Sequence, residues 1–261
     1  MKGSEEGARP VRRRMLIGAS LKMYFSHART VAWTAAVAEV LAEHPARGRT
    51  EMFVIPQYPS IPACLEVAAG ALAVGAQDVA EHDAGAFTGE VSGSVLAELG
   101  CRFVEVGHAE RRGMFGDTDE VVAAKTAAAM RSGLVPILCV GEAESTDAEQ
   151  AAHACIAQVD SALTTARAAG RLGEIVIAYE PLWAIGAPEP APAAHIRGVC
   201  DRLRDGLDRR GLDARVIYGG SAGPGMLIEV SDSVDGLFLG RFVHDPEAVR
   251  MILDEVAAIT G

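Results

Sequence analysis

The sequence predicts an α/β protein folded as a single (β/α)8 barrel, and two observations carry that expectation. Short apolar runs recur at 15–20, 53–56, 72–76, 102–106, 135–140, 175–179, 215–218 and 236–239, with helical or turn-rich segments between them. The length, 261 residues, is close to the roughly 250 usual for this fold. An open doubly wound sheet competes with it. Such sheets carry a glycine-rich turn after the first strand, and Gly18-Ala19-Ser20-Leu21-Lys22 does not match GxGxxG. No linker, repeat or low-complexity segment divides the chain, so one catalytic domain is expected over 15–261, behind a flexible extension at 1–14.

The elements follow in order. The run 15–20 is too short for a membrane span and meets Lys22 at once. The most informative stretch is EIVIAYEPLWAIG, Glu174 to Gly186. Its β-branched Ile175, Val176 and Ile177 read as a buried strand, and Pro181, which has no amide hydrogen for a ladder, ends it. Segments 30–43, 118–131, 148–169 and 195–210 repeat apolar residues at spacings of three and four, as helices facing a sheet require. Gly133, Gly170 and Gly211 stand where helix C-caps are expected. Residues 78–91, DVAEHDAGAFTGEV, form a long polar stretch without periodicity, a length of loop that tends to serve function or an interface.

Apolar residues make up 49% of the chain and mean hydropathy is +0.18, enough for a substantial core. Aromatics are only 5%, which suits small-residue helices packed on a parallel sheet. The net charge of −11 argues against nucleic-acid binding, so any anion must be held by local donors. Five widely spaced cysteines without a CxxC read as reduced thiols of a cytoplasmic protein, neither a disulfide frame nor a zinc site. The sequence carries no signal-peptide core and no membrane span, so no membrane partner is expected.

In barrels of this type the chemistry sits at the carboxyl ends of the strands. There the first strand offers Lys22, the fourth His108, the sixth Glu180, the seventh Gly219, Gly220 and Ser221, and the eighth Gly240 and Arg241. Singly, each has a dull explanation as a surface charge, a helix-start polar residue or a tight turn. Together, at five strand ends of one barrel, they point to a site. Backbone N–H groups of a glycine turn that opens a helix bind a phosphate dianion. Gly219, Gly220, Ser221 and Gly240 fit that job, with Gly186 available from the loop after Glu180. Lys22 can neutralise charge developing on a substrate oxygen. A neutral His108 at a helix start can donate a hydrogen bond to a carbonyl, because the helix dipole favours the uncharged ring. Glu180, shielded by a closing loop, becomes a stronger base than in water. No His/Asp cluster stands at metal-ligand spacing, so neither a metal nor a cofactor is expected.

In order, GASLKM, GAQD, GAFTGEVS, VGHAERRGMFGDT, ILCVGE, YEPLWAIG, YGGS and DGLFLG resemble the motifs of the triosephosphate isomerase family, from Met15 to Pro246. The resemblance implies a TIM barrel that isomerises a short phosphosugar through an enediolate. Under the scheme established for that family, Glu180 is the base and His108 the electrophile that polarises the carbonyl and shuttles protons between oxygens. Lys22 is the electrostatic partner of the substrate, Glu110 the glutamate beside the histidine, and 181–191 the flexible lid. The resemblance also implies a homodimer in which 78–91, with Thr88 and Glu90, inserts into the neighbouring subunit. Cys139 then takes a buried structural position.

The chain departs from the family pattern at several places. Asn-x-Lys is replaced by Ser20-Leu21-Lys22, which exchanges an amide with two donors for a shorter hydroxyl with one. Ala109 follows the histidine where serine is usual, and Gly-Gly becomes Gly240-Arg241, whose guanidinium could grip a phosphate or fill space. Pro188 and Pro190 replace the common glycine and threonine of the lid and should stiffen its hinge. Ser20, Arg241 and Glu105 within VEVGH resemble the branch that interconverts tetrulose phosphates such as L-erythrulose 1-phosphate in erythritol-type sugar breakdown. A four-carbon substrate is therefore the expectation. Authentic glycolytic triosephosphate isomerase, converting dihydroxyacetone phosphate to glyceraldehyde 3-phosphate, is the alternative, since a methylene-sized difference changes binding by only about 1–3 kcal/mol. Two other classes stay open. A metal-dependent epimerase or Schiff-base aldolase would want a metal cage or a lysine buried in the barrel, and a dead phosphate-binding paralogue would not need Lys22, His108 and Glu180 intact.

Overall fold

Eight parallel strands close on themselves in sequence order: β1 (Met15–Ser20), β2 (Thr50–Ile55), β3 (Ala73–Ala76), β4 (Phe103–Val106), β5 (Val135–Val140), β6 (Ile175–Tyr179), β7 (Ala214–Tyr218) and β8 (Gly236–Leu239). The ring is completed where Leu16 to Ala19 of β1 pair with Gly236 to Leu239 of β8. The architecture is thus the expected single (β/α)8 TIM barrel. The computed structural model describes residues 14–185 and 190–260, so the expected extension lies, apart from Arg14, outside the described residues. The helices are α1 (His27–Glu43), α2 (Ile61–Ala68), α3 (Gly93–Leu99), α4 (Ala109–Phe115), α5 (Asp119–Arg131), α6 (Ala148–Ala162), α7 (Thr164–Ala168), α8 (Ala193–Arg209), α9 (Met226–Val230) and α10 (Pro246–Thr260).

Period-two alternation divides the strand residues between two cores. Leu16, Phe53, Ile55, Phe103, Ile137, Val176, Ala178, Ile217 and Phe238 form one cluster, which fills the barrel interior. Their neighbours in sequence, such as Ile17, Val54, Val104, Leu138, Ile177 and Val216, join the helices in the outer core. Inside, the Phe53 ring lies 4.7 Å from Phe103 and 5.8 Å from Phe238, centroid to centroid. A Cβ at Gly18 would come within 2.0 Å of the Phe53 ring, so only glycine leaves β1 close enough to that aromatic plug.

The helical spacing is borne out most cleanly in α8, whose buried Ile196, Val199, Cys200, Leu203 and Leu207 lie on one face. Helix starts are capped by side chains: Ser26 accepts from the Arg29 amide, Thr118 from Val121, and Asp147 from Glu149 and Gln150. Gly133, Gly170 and Gly211 adopt φ of 78°, 63° and 63°, the left-handed conformation that ends a helix. Two boundaries differ from the sequence reading. β2 starts at Thr50, before the apolar run 53–56, because Glu51 is held in the strand by Arg102 and Arg215 at 2.6 and 2.9 Å. The expected helix 148–169 is broken at Leu163, where the Thr164 hydroxyl bonds back to the Ser161 carbonyl at 2.8 Å and competes with the helical ladder.

The segment 78–91 leaves the barrel as an irregular loop, and charge anchors its root. Lys125 is buried and donates to Asp78 at 2.9 Å and Asp117 at 2.8 Å, while Arg111 reaches the same two carboxylates at 2.9 and 3.1 Å. Further along, Arg131 holds Asp83 at 2.8 Å and the Glu81 carbonyl at 2.7 Å. Replacing Lys125 by Met would leave Asp78 and Asp117 without their buried cation. Lys125→Met is expected to lower the unfolding free energy by about 3–5 kcal/mol in urea titrations, and a loss below about 1 kcal/mol would contradict this account.

Candidate active site

The same alternation that packs the barrel interior brings the polar strand ends together. From Leu16 the inward positions of β1 continue through Gly18 to Ser20; from Phe103 the next is Glu105; from Ala178 the next is Glu180; from Ile217, Gly219; from Phe238, Gly240. At the carboxyl end of the barrel these residues, with Lys22, His108, Glu110, Ser221 and Arg241, line one cavity of about 390 Å³. Gly220 is not among its lining residues, and a Cβ there would meet the Tyr218 hydroxyl at 2.8 Å. Gly186 and Pro188 lie outside the described residues. Among the described residues, two of the three non-glycine residues with positive φ, Lys22 at 45° and Ser221 at 55°, are at this mouth, where backbone strain is held by the surrounding contacts.

His108 caps the N-terminus of α4. Its Nδ1 accepts the Glu110 amide at 3.1 Å, which leaves Nε2 as the ring nitrogen that carries the proton towards the cavity. That Nε2 faces two carboxylates, Glu180 at 3.7 Å and Glu105 at 3.8 Å, both too far for a hydrogen bond. Burial pushes the Glu180 carboxyl up to about 7; the Glu105 charge adds to the rise, and His108 and Lys22 oppose it. Burial raises Glu105 as well, against the pull of His108 and of the Ser20 hydroxyl, which donates to Glu105 at 3.0 Å. Lys22 donates to Glu110 at 2.7 Å. Desolvation pulls its ammonium down, but the Glu110 hydrogen bond and the surrounding carboxylates outweigh that and leave it above its ordinary value. The Cys139 thiol lies 4.0 Å from Glu105 and burial raises it well above its usual range, so it stays protonated and inert.

Gly219 has a different place from the one expected of it. Its amide donates to the Tyr179 carbonyl at 2.9 Å and so is not open to an anion. A Cβ there would come within 2.6 Å of Glu180 Oε1, so glycine is what leaves room for that carboxylate. Gly220, Ser221 and Gly240 remain the turn positions that can offer amides to an anion, with Arg241 exposed on the rim above them.

The first half of the expected lid is docked on a single carboxylate. Glu142 Oε1 accepts from Trp183 Nε1 at 2.7 Å and the Tyr179 hydroxyl at 3.1 Å, and lies 3.2 Å from His195 Nε2. The Leu182 amide donates to the Glu142 carbonyl at 3.0 Å, and Ser221 donates to the Ala184 carbonyl at 3.2 Å. The short Leu182–Ala184 turn is thereby tied to the ends of β5 and β7.

A model of the family described as triosephosphate isomerase matches residues 15–256, almost all of the described chain. The chain belongs to the triosephosphate isomerase family. It is similar to the L-erythrulose-1-phosphate isomerase of Pectobacterium atrosepticum, at 49% identity covering 95% of this chain and 98% of that protein. It is also similar to the triosephosphate isomerases of Dechloromonas aromatica, at 38% identity over 87% of this chain and 93% of that one, and of Saccharopolyspora erythraea, at 40% over 87% and 91%. As a member of this family the chain is a sugar-phosphate isomerase, and a phosphorylated sugar is its substrate class.

The sequence reading named Glu105 only as part of a motif and gave Glu142 no role. Strand alternation from Phe103 was the available signal for the first. Nothing local marks the second, whose three donors come from β6, the lid and α8. Removing that acceptor leaves buried donors unmatched. Glu142→Ala is expected to lose about 3 kcal/mol of stability and to shift Trp183 emission to the red, measured by thermal unfolding and fluorescence; an unchanged spectrum would refute the tether.

Proposed function

We propose that this isomerase acts on a four-carbon ketose phosphate of the L-erythrulose 1-phosphate type, moving its carbonyl to the neighbouring carbon. The observation that carries the reading is the 49% identity to L-erythrulose-1-phosphate isomerase along essentially both chains, against 37–43% for the triosephosphate isomerases. The short Ser20 side chain supports it by leaving volume beside Glu105. Dihydroxyacetone phosphate is the second reading, favoured by the number of such relatives.

In the proposed reaction the phosphate lies on the amides of Gly220, Ser221 and Gly240, with Arg241 above. The Glu180 carboxylate removes the proton from C3, and that electron pair forms the C2=C3 bond. The C2 oxygen takes up charge, stabilised by Lys22 and by the His108 Nε2–H, which gives it a proton. The hydroxyl proton on O3 passes back to His108, and Glu180 returns its proton to C2, leaving the carbonyl at C3. Glu110 holds Lys22, and Gly219 seats Glu180. The lid from Pro181 to Ala191 excludes water while the enediolate exists.

A homodimer fits the exposed surface beside this mouth. Met23, Tyr24, Met114 and Phe115 are 83%, 52%, 73% and 67% exposed and surround one open groove with Gly89 and Glu90. A contiguous apolar rim of this kind suits a second copy, with Thr88 and Glu90 of 78–91 entering the neighbour. A cytoplasmic setting and a place in carbohydrate metabolism, in polyol breakdown or else in glycolysis and gluconeogenesis, follow from the same reading. Among the described residues no helix is long and apolar enough to cross a membrane.

Metal-free turnover of L-erythrulose 1-phosphate and of dihydroxyacetone phosphate tests the function. We expect kcat/KM to favour the tetrulose by more than about tenfold, or roughly 1.4 kcal/mol; a tenfold preference for triose would overturn the reading. In the same assay kcat/KM should fall on the acid side as pH drops through about 7, because the raised Glu180 pKa means that protonation there removes the base. Glu180→Gln should abolish turnover and keep phosphate-ligand binding. Light scattering is expected to give twice the 27.3 kDa chain mass, and a monomer at 100 µM or so would exclude the dimer.

A further inference from the structure

Among the described residues most buried carboxylates are matched with donors; Glu142 keeps one unpartnered oxygen, and at the cavity Glu180 has no donor within hydrogen-bond distance while Glu105 has a good one on a single oxygen. Asp78 and Asp117 share Lys125, Glu51 takes Arg215, Glu142 collects three donors, and Glu255 accepts the Gly225 amide. Glu105 is equally buried, at 4% exposure, yet only its Oε2 has a good partner, the Ser20 hydroxyl at 3.0 Å. Its Oε1 lies at the margin of the Cys139 thiol, 4.0 Å, and 3.8 Å from His108 Nε2, and it borders the active-site cavity. An incompletely matched buried carboxylate costs stability and persists where something else supplies the donor.

The position indicates the donor. His108 Nε2 lies between Glu180 at 3.7 Å and Glu105 at 3.8 Å. A ketose whose carbonyl oxygen rests on Nε2, and whose reacting carbon faces Glu180, has room for its next carbon on the Glu105 side. A triose phosphate ends at the reacting carbon. A tetrulose 1-phosphate carries one more group there, a hydroxymethyl with a terminal O–H.

We propose that Glu105 is a specificity-determining residue, whose cavity-facing Oε1 accepts the hydrogen bond of the terminal hydroxymethyl group that distinguishes a four-carbon from a three-carbon ketose phosphate. Ser20 orients the carboxylate through Oε2 and is short enough to leave the space. The inference rests on the four-carbon reading above. It adds the residue that makes the choice, since a site built to accept a substrate hydroxyl discriminates more strongly than an apolar pocket does.

The test is steady-state kinetics of the full-length enzyme and of Glu105→Leu, Glu105→Met and Glu105→Gln with L-erythrulose 1-phosphate and dihydroxyacetone phosphate. In the two apolar variants the ratio of kcat/KM for tetrulose over triose is expected to fall about 30-fold or more, the loss of one hydrogen bond to a charged group. Glu105→Gln keeps an acceptor oxygen and is expected to restore most of that ratio. Both apolar variants should also match or exceed the parent Tm, since they remove an incompletely compensated buried charge. If the leucine variant does not fold, the methionine variant decides the matter. Equal losses on both substrates, with the parent enzyme still turning over the tetrulose, would overturn the role of Glu105 and leave the function intact. A parent enzyme inactive on the tetrulose phosphate would overturn the four-carbon reading and the role of Glu105 with it.

Discussion

Closure of an eight-stranded parallel sheet is the constraint on which the rest of this structure depends. Once the strands close, every second side chain points to a common axis and has to be fitted there. Through most of the barrel's length that means aliphatic residues and the Phe53, Phe103 and Phe238 rings. One residue pair further along each strand, the same alternation delivers Ser20, Glu105, Glu180, Gly219 and Gly240 to one place without any further instruction. The glycines are part of that geometry. Gly18 makes room for a ring, Gly219 for a carboxylate, and Gly141, where a Cβ would overlap the Glu180 carbonyl, for the backbone that carries it.

The electrostatics of the mouth follow from this convergence. Two buried carboxylates, Glu105 and Glu180, flank one imidazole, and Lys22 is a nearby cation. The Glu105 charge raises Glu180, on top of a larger desolvation effect, and moves it from a bulk acid towards a base suited to neutral pH. The rise from 4.5 to about 7 corresponds to roughly 3 kcal/mol held against the charged form. The positive character of this mouth is local in an otherwise acidic chain. Turn amides, a lysine and an exposed arginine supply it, while the net charge of −11 is spread elsewhere.

Polar nodes between elements fix the parts that alternation cannot. Lys125 joins the root of 78–91 to the loop before α5. Glu142 collects donors from β6, the Leu182–Ala184 turn and α8, so the turn that follows Glu180 and the strand that carries it share one support. Arg215 and Arg102 tie Glu51 and Glu174 at the opposite end of the barrel, where charged side chains close the bottom of the interior.

Much of this was legible in the chain itself. The strand-length apolar runs, the three-and-four spacing of α5 and α8, and the glycines with positive φ after α5, α7 and α8 are local patterns, because backbone geometry writes them into neighbouring residues. Lys22, His108 and Glu180 could be read because each closes an apolar run, and family motifs surround them. Less local features could not be read that way. The break at Leu163 depends on one hydroxyl back-bond, and the early start of β2 on arginines far along the chain. Gly219 supports Glu180 because β6 and β7 are neighbours only in the folded sheet. Sequence alone determined the barrel, the reaction family and the three principal side chains. Tertiary structure alone decided that Glu105, separated from Ser20 by 85 residues and from Glu180 by 75, would share their cavity, because that proximity exists only once the ring of strands has closed.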